Sequence, residues 1–154
     1  MCTITPTIVI VDDNVSSIRF VETLIRRSYT KVNFVSATSY REARALIAKT
    51  KNIAIVILDH DLRSERTGSD LANELRSGGR RFGIILMSAS TEIDKHYIYI
   101  EKPIREVELK SAVANWIGMF SMRKDLKAVS GSIGRIMQAK KIAEREVYGY
   151  SRAN

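Results

Sequence analysis

The sequence TIVIVDDN, residues 7–14, joins a short run of strand-forming residues to a pair of aspartates. The same pattern occurs at residues 53–61, IAIVILDHD, where six apolar residues precede the acids. Short, continuously apolar runs rich in Ile and Val are typical of strands buried on both faces of a parallel sheet. The sequence contains five such runs and predicts five strands: Thr7–Val11, Val32–Val35, Ile53–Leu58, Ile84–Met87 and Tyr97–Ile100.

Between these runs, apolar residues recur at intervals of three and four, which indicates amphipathic helices. Ser39 and Glu42 fit a capping box at the start of the second helix. Strands that alternate with helices through short links predict an open, doubly wound α/β domain. The helical stripes are Ile18, Val21 and Ile25; Ala43, Leu46 and Ile47; Leu71 and Leu75; and Val113, Trp116 and Phe120.

The composition excludes several classes of protein. Of the 154 residues, 45% are hydrophobic and 27% charged, which is enough apolar material for a folded core. The longest apolar run, Ile53–Leu58, is far shorter than the ~18 residues of a membrane span. No signal peptide is predicted, because the N-terminus lacks a basic region and meets two acids where cleavage would fall. A single cysteine, Cys2, cannot form an internal disulfide, which favours the cytoplasm.

The net charge is concentrated near the C-terminus. A formal charge of +8 by itself favours an acidic partner, with nucleic acid as the first candidate. Residues 121–154 hold eight basic and three acidic residues and so carry +5, which leaves +3 for residues 1–120. Any nucleic-acid interaction would therefore depend on this basic tail.

Chemically active side chains follow four of the predicted strands. In doubly wound folds the functional crevice lies at the carboxyl ends of the strands. Carboxylates that converge there repel one another and favour protons or a hard cation such as Mg²⁺. A lysine and a hydroxyl at the same edge would suit an anionic group, and a phosphoryl group is the first candidate. The residues are Asp12, Asp13, Asp59, Asp61, Ser88 and Lys102.

Each of these residues has an ordinary explanation when it is taken singly. Acids at strand ends often cap the following helix, and serine or a Lys-Pro pair is common in turns. Their joint occurrence, in this order and at these strand ends, is unlikely to be a coincidence.

In combination the motifs resemble the receiver domain of two-component response regulators, over residues 6–118. Tyr99 falls at the position of the family's switch aromatic residue, and Gly68 at the glycine that opens its third helix. The matching motifs are Asp12-Asp13 in IVIVDDN, Asp59 in IVILDHDL, Ser88-Ala89 in ILMSAS and Lys102-Pro103 in YIEKPI.

The resemblance implies a flavodoxin-like, five-stranded parallel sheet and a role for each matching residue. Asp59 would accept a phosphoryl group from the phosphohistidine of a sensor histidine kinase or a phosphotransfer protein. Ser88 and Lys102 would contact the phosphoryl oxygens, and Tyr99 would turn inward as Ser88 moves.

The resemblance also implies a Mg²⁺ cofactor and a mode of output. Asp13, Asp59 and the backbone carbonyl of Asp61 would ligate the ion, and Asp12 would act largely through metal-bound water. Such a domain is no enzyme beyond its own phosphorylation and dephosphorylation, and it signals to a downstream protein through protein contacts. Because the reactive set is complete, a pseudo-receiver that cannot be phosphorylated is disfavoured.

The sequence departs from the family pattern on both sides of the fourth strand. The loop after Asp59 reads HDLRSERTG, without the usual Met-Pro, and Asp61 adds an acid beside the site, which predicts altered transfer or hydrolysis rates. Only 13 residues, 89–101, separate Ser88 from Lys102, where the family has about twenty. The family's helix between strands 4 and 5 is therefore expected to be truncated or absent, which puts the usual dimer mode in doubt.

The third departure is the C-terminal tail, which divides the chain into a receiver domain at 1–118 and a basic helical extension at 119–154. Its apolar positions step by four and three, as in a heptad repeat, although two glycines and a lysine weaken the pattern. Three interpretations remain open: a helix folded onto its own domain, a helix that forms a homodimer, or a basic helix for nucleic acid. A membrane-surface role is a weaker fourth interpretation, because the tail lacks tryptophan. The positions are Met122, Leu126, Val129, Ile133 and Ile136, continued by Lys140, Ala143, Val147 and Tyr150.

Two other functions compete with a stand-alone receiver. A nucleic-acid-binding regulator would use the basic tail, although no helix-turn-helix fits in so few residues. A haloacid-dehalogenase-type phosphatase would explain the Asp59-His60-Asp61 motif. In that fold, however, the motif follows the first strand and much more chain follows it.

Overall fold

The computed structural model describes residues 4–63, 66–90 and 96–149, with side chains described up to residue 143. Within these ranges, strands and helices alternate up to the fourth strand, which leads to the fifth without an intervening helix among the described residues. The strands are β1 (Thr7–Val11), β2 (Asn33–Ala37), β3 (Ile53–Asp59), β4 (Gly83–Ser88) and β5 (Ile98–Glu101). The helices are α1 (Val15–Arg26), α2 (Tyr40–Lys49), α3 (Gly68–Ser77) and α4 (Glu106–Gly149).

All five strands pair in parallel, in the order β2-β1-β3-β4-β5. This topology confirms the predicted doubly wound sheet. The strand order reverses between β1 and β3, and ligands of such sheets bind at the carboxyl ends of the strands beside that reversal. The register aligns Val11 with Leu58, so the residues that follow β1 lie level with the end of β3.

The core lies on both faces of the sheet. Every residue of β1, β3 and β4 is buried, as the continuous apolar runs predicted. Side chains on one face pack with α1 and the first part of α4, and those on the other face pack with α2 and α3. Because burial on two faces leaves these strands little freedom to slide, the strand ends hold their side chains in fixed positions.

Polar caps fix where the helices begin. The side chain of Asn14 accepts hydrogen bonds from the N–H groups of Ser16 and Ser17 and starts α1 directly after the acid pair. The capping box predicted at the start of α2 forms only in part. Ser39 accepts from the N–H of Glu42, but the Glu42 carboxylate accepts from Thr38 rather than from Ser39. The reach of a glutamate side chain makes the earlier N–H equally accessible.

The start of α3 contains a complete capping box. The hydroxyl of Thr67 accepts from the N–H of Asp70, and the Asp70 carboxylate accepts from the N–H of Thr67 at 2.8 Å. Gly68 follows, and a Cβ atom there would lie 2.1 Å from the carbonyl oxygen of Asp59. Only glycine fits this approach, so the start of α3 and the end of β3 are held against each other.

The predicted strands match the observed ones to within two residues. The largest difference is at β2, predicted at Val32–Val35 and observed at Asn33–Ala37, because Ser36 and Ala37 are too polar or too small to extend an apolar run. Between β4 and β5 the described residues, 89–90 and 96–97, contain no helix. Residues 91–95, where any remnant of the family's helix would fall, lie outside the described residues.

The chain forms two compact units, Met1–Phe120 and Ser121–Asn154, and α4 contributes residues to both. In the first unit, α4 buries Leu109, Val113 and Phe120 against the sheet. Trp116 covers Gly83 of β4, where a Cβ atom would lie 2.3 Å from the indole ring.

In the second unit the described apolar side chains of α4 are exposed. We call Met122, Leu126, Val129, Ile133 and Ile136 the tail stripe; their exposed fractions lie between 52% and 69%. The predicted continuation includes Val147, whose side chain lies outside the described part, and Tyr150, which lies outside the described residues. None of the helices in the described ranges combines the length and apolar character that crossing a bilayer requires.

Candidate functional site: an acidic pocket at the carboxyl edge of the sheet

Three aspartates meet at the carboxyl ends of β1 and β3. Asp12 and Asp13 follow β1, and Asp59 is the last residue of β3. Carboxylate oxygens of the three lie within 4.8 Å of one another. Asp12 is 1% exposed and Asp59 is 4% exposed, so two of the charges are withdrawn from water. The sequence predicted this convergence from the strand ends, and the parallel register produces it.

Lys102 supplies positive charge to the two buried carboxylates. It follows β5, and its backbone N–H donates to the carbonyl oxygen of Ser88 at 2.9 Å, which ties it to the end of β4. Its Nζ atom lies 2.8 Å from Asp59 Oδ1 and 3.5 Å from Asp12 Oδ2. The ammonium group therefore bridges the reactive ends of β1, β3 and β5.

Burial and neighbouring charges shift the pKa values of Asp59 and Lys102. Burial raises the pKa of Asp59 above its ordinary value, and the nearby Asp12 charge adds to the rise; the contact with Lys102 and the backbone N–H of Asp61 oppose it. Burial also acts to lower the pKa of Lys102, but the two carboxylates outweigh it and the net pKa is raised. The lysine thus stays charged beside an aspartate whose ionised form is costly.

An open cavity of about 230 Å³ lies over these groups. Such a volume is ample for a small anion and a hydrated cation. Its lining carries four acids and two cations, so the pocket combines groups that bind cations with groups that bind anions. The lining residues are Asp12, Asp13, Asn14, Ser17, Asp59, Asp61, Arg63, Ala89 and Lys102.

The donor set fits Mg²⁺. The ion prefers hard oxygen ligands, and sites that bind it commonly provide one or two carboxylates and leave the remaining positions to water or phosphate. The cluster of Asp12, Asp13 and Asp59 offers carboxylate oxygens to the cavity that these residues line. Asp61, predicted to contribute a backbone carbonyl, also lines the cavity, and its side chain is exposed.

The two predicted switch residues, Ser88 and Tyr99, are not part of the cavity lining. Ser88 is fully buried at the end of β4, and its Oγ atom accepts from the N–H of Ser90 at 3.0 Å. The hydroxyl of Tyr99, on β5, lies 2.7 Å from the Ser88 carbonyl oxygen and 2.5 Å from that of Ser90. The Tyr99 hydroxyl thus contacts the backbone of the segment that carries Ser88.

Sequence reasoning missed Arg63, a charged residue of the pocket lining. Arg63 lies four residues after Asp59, and its Nε atom is 2.9 Å from Asp13 Oδ2. It stands in the loop where the family's Met-Pro is missing, and its backbone φ of 43° is in the left-handed region. The sequence shows only a basic residue two positions after Asp61, which does not identify Asp13 as its partner.

Comparisons with known proteins identify the family of this chain. A family profile described as the response regulator receiver domain matches residues 8–114. A search of curated protein sequences found no match. The chain belongs to the response regulator receiver domain family, as the motifs predicted.

Solved structures with the same fold come from several bacteria. A receiver domain from Francisella response regulator 1452 aligns with a TM-score of 0.61 at 24% identity, covering 72% of this chain and 95% of that one. The signal receiver domain of a protein described as a Luxo repressor, from Vibrio parahaemolyticus, gives 0.70 at 20% identity, covering 80% and 98%. A receiver domain from Clostridium thermocellum gives 0.64 at 21% identity, covering 79% and 98%. These likenesses concern the fold.

Proposed function

We propose that the chain is a phosphoacceptor response regulator in which Asp59 takes a phosphoryl group from a histidine kinase or phosphotransfer protein. The observation that carries the proposal is the contact of Lys102 with the buried Asp59 carboxylate, 2.8 Å long, at the base of a cavity that Asp12 and Asp13 also line. A nucleophile, a cation for phosphoryl oxygens and a set of metal ligands then share one edge of the sheet.

The chain's own residues account for the transfer. An Oδ atom of Asp59 forms the new P–O bond while the P–N bond to the donor imidazole breaks, and the imidazole nitrogen keeps the bonding pair. Lys102 is placed to neutralise a phosphoryl oxygen, as in-line transfer requires. Ser88, after a local rearrangement of its hydroxyl, is the second proposed donor to the phosphoryl group.

A cation is part of the proposal. Mg²⁺ bound to Asp13, Asp59 and the Asp61 carbonyl, with Asp12 close by, would neutralise charge on the phosphoryl oxygens. The carboxylates of Asp13 and Asp59 would hold this ion, and their negative charge would limit how closely an anionic donor approaches when the ion is not bound. We place the protein in the cytoplasm, where a histidine kinase would meet it.

Stoichiometric labelling tests this function. Acetyl phosphate with Mg²⁺ should add one phosphoryl group to the full chain, detected as an intact-mass shift, and Asp59→Asn should abolish it. Asp125→Asn, an equally small change at an exposed tail position, should label like the parent. Labelling that persists in Asp59→Asn, or none in the parent, would overturn the proposal. Repeated turnover of phosphoesters would instead indicate a phosphatase.

The tail stripe supports a proposal about output, in which two copies of the chain pair through α4. Its side chains are more than half exposed and follow the steps of four and three that place apolar residues along one helix face. A second copy has the same spacing of apolar residues and would bury both stripes, whereas nucleic acid would engage the basic residues of α4 rather than the apolar ones. Lys140, on the same face, would keep the pairing weak.

Two matched substitutions in the full chain test this pairing. Ile133→Glu places a charge on the tail stripe, and Ile142→Glu places the same charge on another face of α4; both isoleucines are 52% exposed. Mass by light scattering should show a dimer for the parent and Ile142→Glu, and a monomer for Ile133→Glu. The parent is also measured with beryllofluoride, which mimics a phosphoryl group on an aspartate. A parent that stays monomeric both with and without it contradicts the proposal. Salt-sensitive binding to generic DNA would favour the nucleic-acid function instead.

A further inference from the structure

Each carboxylate of the Asp12, Asp13 and Asp59 cluster has a basic side chain beside it. Lys102 contacts Asp59 and Asp12, while Arg63 contacts Asp13. The Arg63 contact occupies an oxygen that belongs to the proposed metal-binding set. A metal ion that uses this oxygen therefore competes with the guanidinium for the negative charge of Asp13.

The residues around Arg63 hold its backbone beside the pocket and leave its guanidinium at the rim. Leu62, immediately before it, is 4% exposed and anchors the loop in the core. The Arg63 side chain itself is 86% exposed, whereas Asp13 is 20% exposed. The backbone is thus fixed beside the cavity while the side chain stays in water, free to exchange one partner for another.

We propose that Arg63 competes with the divalent cation for Asp13 and thereby sets the Mg²⁺ affinity of the pocket. The inference rests on the proposed function, because it takes Asp13 as a ligand of that ion. With no ion bound, the guanidinium neutralises Asp13. When Mg²⁺ binds, the carboxylate oxygen turns to the metal and Arg63 is released to solvent at the cavity rim.

The expected size of the effect follows from the exposure of the pair. Ion pairs in water contribute little because both groups are well solvated when they separate. Removing Arg63 should therefore lower the Mg²⁺ dissociation constant by about two- to fivefold. Added salt screens exposed charges over a short distance. The difference between parent and variant should consequently shrink as the ionic strength rises, which a purely structural role of Arg63 would not produce.

Arg66 provides a matched control in the same loop. Its guanidinium lies 2.9 Å from the Tyr40 hydroxyl and 3.8 Å from Glu74, away from the cavity lining. Arg66→Ala removes the same charge from the same loop but leaves the Asp13 contact in place. Comparing the two variants separates competition at Asp13 from a general loss of positive charge.

Calorimetric titration of MgCl₂ into the full chain tests the proposal. Arg63→Ala should bind more tightly than the parent, and Arg66→Ala should bind like the parent; circular dichroism confirms that all three are folded. Unchanged or weaker binding by Arg63→Ala, or equal tightening by both variants, overturns the competition. If the parent binds no divalent cation at all, the proposed metal role of Asp13 fails instead, and with it the basis of this inference.

Discussion

Replacing Lys102 with methionine removes the ammonium group that contacts both Asp59 and Asp12. Methionine keeps much of the side chain's volume, so packing changes little and charge changes most. Asp59 is left as a buried carboxylate beside a second one. Its raised pKa means that the folded protein holds the proton more tightly than the unfolded chain, so ionisation at pH 7 already costs stability.

The magnitude follows from the burial of the two partners. Breaking a fully buried ion pair costs about 3–5 kcal/mol because a charge is left without compensation. The Asp59 side chain is 6% exposed but that of Lys102 is 28% exposed, so water can replace part of the contact. We therefore expect Lys102→Met to lower the free energy of unfolding by about 2 kcal/mol, or about 4–8 °C in the melting temperature.

A double-mutant cycle isolates the contact. Asp59→Asn removes the costly charge and should be neutral or stabilising, and it should recover at least about 1 kcal/mol of the loss in Lys102→Met. Urea denaturation at pH 7 with EDTA measures all four proteins without a metal ion. Single effects that add to within about 0.5 kcal/mol would refute the reasoning, because coupled charges do not behave independently.

Three further outcomes are expected. Gly83→Ala should destabilise the fold by about 2 kcal/mol in urea denaturation, since its Cβ would overlap the Trp116 ring, and Trp116→Leu should remove most of that cost. Asp70→Asn should lower the free energy of unfolding by about 0.5 kcal/mol at pH 7. Hydrogen bonds from Thr67 lower the Asp70 pKa, so this cost should vanish as the pH falls through the lowered value; a cost that persists in acid contradicts the assignment. Asp61→Asn should be labelled by acetyl phosphate about threefold faster, because a negative charge at the cavity repels an anionic donor; unchanged labelling and hydrolysis rates would refute this.

Much of the fold was predictable because its signals are local. A strand buried on both faces must be apolar along its whole length, and the runs at β1, β3 and β4 meet that condition. Strand β2 was less well defined because it lies at the edge of the sheet, where several of its side chains stay in contact with water. The Glu42 contact with Thr38 also departed from prediction, since a flexible side chain can choose between adjacent N–H groups.

The sequence by itself determined which side chains stand at the strand ends, because each of Asp12, Asp59 and Ser88 directly follows or ends an apolar run. Only the tertiary structure decided which of them meet. The strand order places β1 beside β3, and this brings carboxylates nearly fifty residues apart within reach of one lysine. It also showed that Arg63 contacts Asp13, which no pattern predicts, because an exposed loop side chain carries no periodic signal and its partner is set by the path of the backbone.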